Sequence, residues 1–83
     1  MEKTIKVGLP NGLHASNAAS FVEKASQFQA DVHLKKGNSV INVKSILGLM
    51  SIVLKPNDEV LLTATGADEE QALTVLGEFL EHN

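Results

Sequence analysis

The chain has 83 residues, no cysteine, and ten acidic against seven basic side chains, for a net charge of -3. That length fits one compact domain spanning 1–83, and the lack of cysteine excludes disulfides and thiolate metal sites. All seven basic residues are lysine, and Trp and Tyr are absent, so neither a basic surplus nor stacking aromatics support a nucleic-acid surface.

The 43% hydrophobic content supports a real core. The opening MEKTIKVG lacks the apolar run of a secretion signal, and no stretch approaches the roughly 20 apolar residues that span a bilayer. The expectation is a soluble, cytoplasmic protein with no membrane insertion.

In chain order, Ile5, Val7 and Leu9 alternate with polar or small residues and predict a first strand over 2–9. PNG at 10–12 ends it. Ala18, Phe21, Val22, Ala25 and Phe28 then recur at helical spacing, predicting a helix over 16–28 with Glu23, Lys24 and Gln27 outside. Val32 and Leu34 mark a second strand, with His33 between them facing solvent.

Gly37-Asn38 reads as a tight turn into a third strand through Ile41 and Val43. KSILGLMSIVL predicts a short helix beginning at Ser45 or Ile46, with Ile46, Leu49, Met50 and Val53 as its core stripe and Leu47 and Leu54 outside it. After KPND, Val60, Leu62 and Ala64 alternate in a fourth strand. Asp68 and Gln71 have capping-box spacing and open a last helix, whose apolar face is Ala72, Leu73, Leu76, Phe79 and Leu80. The order β-α-β-β-α-β-α, with one apolar face per strand, implies an α/β (α+β) open-faced sandwich: one antiparallel sheet with helices over one side.

Two positions carry candidate chemistry. His14 stands just before the first helix, where the free N–H groups of about Ser16, Asn17 and Ala18 and the positive helix end form an anion site. A neutral imidazole is a competent nucleophile toward phosphorus, and those donors would hold a phosphoryl group placed on it. A solvent-exposed loop histidine fits the same position. Ser45 sits at an N-cap, where a capping hydroxyl explains it; a phosphoserine there also gains from the helix dipole. Apolar side chains beside polar ones on this short helix suggest a contact surface, unless loops cover them.

His14, His33 and His82 lie far apart in sequence and lack metal-ligand spacing. There is no phosphate-binding glycine loop and no nucleophile elbow. Neither a metal, a cofactor nor a self-contained catalytic pocket is expected.

GLHA before a helix, with INVKSILGLMSI after a hairpin, resembles the HPr family of histidine-containing phosphocarriers in the bacterial sugar phosphotransferase system. The likeness runs nearly the whole chain. It implies a sheet of order 1-4-2-3 with three helices. By this resemblance His14 takes a phosphoryl group from enzyme I and passes it to sugar-specific enzymes. Ser45 matches the serine modified by ATP-dependent HPr kinase/phosphorylase, and Ile46, Leu47 and Met50 fall in the apolar patch where partners dock. The phosphoserine form is, in the family, a corepressor for a carbon catabolite regulator.

One departure stands out. Family members usually read G-x-H-A-R-P-A, whereas this chain has Ser16-Asn17 in place of Arg-Pro. Losing a charge-assisted bond to phosphate removes about 1.5–3 kcal/mol. A backbone N–H at Asn17 and the Ser16 hydroxyl offset part of that loss. Three readings follow: a phosphocarrier with a weakened His14 site, a Crh-like regulator acting through Ser45, and a binding domain using neither residue. Crh proteins lack the histidine and keep Arg-Pro, the reverse of the pattern here.

Overall fold

The computed structural model describes residues 1–10 and 12–82. Strand β1 (Glu2–Lys6) leads to helix α1 (Ala15–Ala25), then β2 (Asp31–Lys36), β3 (Ser39–Asn42), α2 (Ile46–Met50), β4 (Glu59–Thr65) and α3 (Glu69–His82). The four strands form one antiparallel sheet in the order β1-β4-β2-β3. Fold class, element order and strand order are those the sequence implies.

Period-two alternation explains which face the helices cover. Ile5, Val32, Leu34, Val60, Leu62 and Ala64 point to the covered side and are buried. The opposite face carries His33 and Thr63, paired across β2 and β4 and half-buried rather than fully solvated. From the helices, Phe21 of α1 and Phe79 of α3 meet with ring centroids 5.3 Å apart at 51°, a tilted contact that suits the ring quadrupoles. Among the described residues no buried side chain is polar or charged.

Several boundaries differ from the alternation pattern. Val7 and Leu9 are buried as expected, yet β1 ends at Lys6. Beyond it the chain bonds to a loop and a helix end instead of a strand: Val7 N donates to Asp58 O at 2.8 Å, and Gly8 N to Leu80 O at 2.9 Å. Helix α1 stops at Ala25, so Phe28 packs from the following turn. Val43 is buried just past the end of β3.

The expected core stripe of the short helix is corrected. Ile46, Met50 and Val53 are exposed, Leu49 is buried, and Leu54, expected outside, is buried at 2% exposure. Helix α2 has only five residues, so helical periodicity ends before Val53 and Leu54. Leu54 instead forms an isolated bridge with Leu13.

The expected capping box of α3 is corrected as well. The Asp68 carboxylate accepts from Gln29 N at 2.9 Å and Ala30 N at 2.8 Å, tying α3 to the entry of β2. Glu69 takes the local role by accepting from Gly66 N at 3.1 Å.

Candidate functional site

The segment before α1 is fixed from both sides. Gly12 adopts φ +71°, and a Cβ there would lie 2.1 Å from the Leu54 carbonyl oxygen, so only glycine fits. Leu13 N then donates to that same oxygen at 3.0 Å. This delivers His14, extended at φ -137° and ψ 179°, as the N-cap of α1. The helix thus starts one residue earlier than the apolar spacing indicates, with His14 standing immediately before it as its cap.

Among the three amides expected to be free, Ala18 is corrected. Its N–H donates to His14 O at 2.8 Å and closes the first helical turn. The N–H of Ser16 precedes that first bond and has no acceptor within the helix, whereas the N–H of Asn17 faces the His14 side chain as the other half of a capping box. The imidazole and Ser16 are both exposed. Ser16 Oγ lies 3.0 Å from His14 Nδ1, a hydrogen bond whose donor depends on the tautomer.

Asn17 does more than restore an N–H. Its Oδ1 accepts from His14 N at 2.7 Å, and its Nδ2 donates to Gly12 O at 3.0 Å. An asparagine three residues after the cap has the spacing of a reciprocal capping residue. That spacing was the available signal, although the bond to Gly12 depends on the path of the loop.

Ser45 caps α2. Its Oγ accepts from Gly48 N at 3.1 Å, its carbonyl accepts from Leu49 N at 3.0 Å, and its side chain is exposed. Lys44 is engaged elsewhere, donating from Nζ to Phe28 O at 2.7 Å. Beside the cap, Leu47 is 81% exposed, with Ile46, Met50 and Val53 also on the surface. The loop carrying His14 is pinned to Leu54, only four residues beyond Met50. His14 and the apolar helix are therefore joined by one backbone bridge.

A family model described as the PTS HPr component phosphorylation site matches residues 1–82. The chain belongs to the HPr family. Within it, the HPr-like protein Crh of Bacillus subtilis is 41% identical over 81 residues, covering 98% of this chain and 95% of that one. The phosphocarrier protein HPr of Mycoplasma genitalium is 40% identical over 75 residues, covering 89% and 85%. The crystal structure of a phosphocarrier protein HPr from Bacillus anthracis superposes with a TM-score of 0.93 at 38% identity, covering 96% and 95%. HPr and Crh relatives stand at nearly equal identity to this chain.

Among the described residues, no His, Cys, Asp or Glu side chains gather in a group of three that could hold a metal, and no helix is long and apolar enough to cross a membrane. The groups gathered at the start of α1 are the His14 imidazole, the Ser16 hydroxyl and the amides of the first turn.

Proposed function

We propose that the chain is a phosphoryl carrier of the bacterial phosphoenolpyruvate-dependent sugar phosphotransferase system, one cytoplasmic HPr-like domain over residues 1–83. His14 accepts a phosphoryl group from enzyme I and donates it to sugar-specific enzymes. The observation that carries this reading is the exposed imidazole at the N-cap of α1, beside the amides of the first turn. Ser16 and Asn17 supply those amides, while Ala18 closes the turn that orients them. The partners bring the catalytic machinery and dock on Ile46, Leu47 and Met50.

Ser45 is the regulatory site, modified by ATP-dependent HPr kinase/phosphorylase. Its exposed hydroxyl at a helix start supports this role, because added negative charge is favoured there. The second reading is a Crh-like regulator acting in carbon catabolite repression through phospho-Ser45, with little transfer through His14. The missing arginine beside His14, with an intact Ser45 cap, favours it.

Two donors separate the readings. The protein is incubated with phosphoenolpyruvate and enzyme I, or with ATP and HPr kinase, and its intact mass is recorded before and after acid. Acid-labile phosphate on His14 is expected from the first donor and acid-stable phosphate on Ser45 from the second. Labelling by ATP alone establishes the regulator, and no labelling by either donor sinks both readings.

A further inference from the structure

We infer that Ser16 is a second phosphate acceptor, filled by transfer from phospho-His14 inside the same chain. This rests on His14 being phosphorylated, the reading proposed above. The observation is the 3.0 Å contact between Ser16 Oγ and His14 Nδ1, both on exposed side chains. Nδ1 is the ring nitrogen turned toward the hydroxyl. A hydrogen bond to an imidazole nitrogen follows its in-plane lone pair, the direction an N–P bond at that atom would take. A phosphoryl group on Nδ1 would take the space the hydroxyl holds at 3.0 Å, so Ser16 Oγ first swings aside about its Cα–Cβ bond and then attacks from the face of the phosphorus opposite the N–P bond, as in-line displacement requires.

The step balances without another reactant. A lone pair of Ser16 Oγ attacks phosphorus and forms the O–P bond. The N–P bond breaks, its electron pair returns to Nδ1, and the hydroxyl proton moves to that nitrogen. The products are a neutral histidine and a phosphoserine. Transfer from a phosphoramidate to an alcohol runs downhill, and holding the two groups two residues apart replaces a bimolecular encounter. The product remains in the first turn of α1, where the helix dipole favours its charge.

The usual arginine at this position has no hydroxyl to offer. Ser16 would thus convert a transferable phosphate into a stable one and take the chain out of the relay. A carrier with this side reaction holds its phosphate on His14 only briefly unless a partner collects it.

The test labels the full chain with phosphoenolpyruvate and enzyme I, and in parallel with potassium phosphoramidate, which phosphorylates histidine without a protein partner. Phosphate is followed over hours and located by fragmentation after acid. The expected result is loss of acid-labile phosphate from His14 with matching gain of acid-stable phosphate on Ser16. Ser16→Thr should keep the gain, and Ser16→Ala and His14→Ala should abolish it. Decay of phospho-His14 to unmodified protein with no phosphoserine overturns the inference, as does phosphate on Ser16 in His14→Ala. Transfer seen with phosphoramidate but no labelling by enzyme I would sink the carrier reading and leave this inference standing.

Discussion

The side chain of Asn17 bonds back to Gly12 across the loop that carries His14, donating from Nδ2 to the Gly12 carbonyl at 3.0 Å while Oδ1 accepts from His14 N. One amide side chain thus satisfies two backbone groups on either side of Leu13 and sets the path into α1. The proline usual at this position could form neither bond. Asn17→Ala is expected to lower stability by about 1–2 kcal/mol, the range for losing a cap and leaving a backbone N–H unpaired. Urea denaturation measures it, and an unchanged midpoint would show that the clamp contributes nothing.

Acid sensitivity should come from Asp58 and Asp68, with Glu69, also held below its ordinary value by the Gly66 N–H and the amino terminus, adding to it. Hydrogen bonding from Lys36, reinforced by the Lys55 N–H, holds Asp58 below its ordinary value. The Gln29 N–H, joined by that of Ala30, does the same for Asp68, with burial opposing. A lowered folded-state pKa adds stability that is fully present above the unfolded value, 3.8 for the two aspartates, and is lost as pH falls through the folded value. Stability is therefore expected to drop on acidification below about pH 4. Asp58→Asn and Asp68→Asn should each flatten that acid limb in denaturation curves; an unaltered limb in both would place the sensitivity elsewhere.

The two leucines of α2 should behave in opposite ways. Leu49 is in the core, and Leu49→Ala is expected to cost about 2–5 kcal/mol. Leu47 is 81% exposed, so Leu47→Glu should change stability by no more than about 0.5 kcal/mol while raising the KM for labelling by enzyme I. Equal losses of stability would contradict the assignment of inside and outside on this helix, and an unchanged KM would remove Leu47 from the docking surface.

That helix also marks where the sequence was hard to read. Alternation in β2 and β4 was legible because one face is covered along the strands' length, burying Val32, Leu34, Val60, Leu62 and Ala64 together. Helix α2 is too short for a repeat to establish itself, so its apolar residues could not be sorted by spacing. The role of Asp68 is not legible locally, because its partners, Gln29 and Ala30, are distant in sequence and meet it only in the fold. At the candidate site, the places of His14 and Ser45 at helix starts followed from local sequence. The contacts of Ser16 and Asn17 did not, because they depend on how Gly12 and the Leu13–Leu54 bridge aim the loop.

At the second site, Ser45→Ala removes the acceptor for Gly48 N and should cost about 1 kcal/mol or less. Ser45→Asp keeps an acceptor at the cap and adds favourable charge, so it should recover most of that loss. Denaturation of the three proteins side by side checks this order. An aspartate variant less stable than the alanine one would argue against a phosphate-tolerant cap.

The most direct measurement is the initial rate of enzyme I-dependent labelling, compared by rapid quench for the unaltered chain, Ser16→Arg and His14→Ala. A weakened His14 site requires measurable acid-labile phosphate on the unaltered chain and none on His14→Ala. Ser16→Arg should label faster by about ten- to a hundredfold, the rate equivalent of about 1.5–3 kcal/mol. An unaltered chain that takes no phosphate on His14 would contradict the carrier function, and an equal rate for Ser16→Arg would show that the missing charge costs this site nothing.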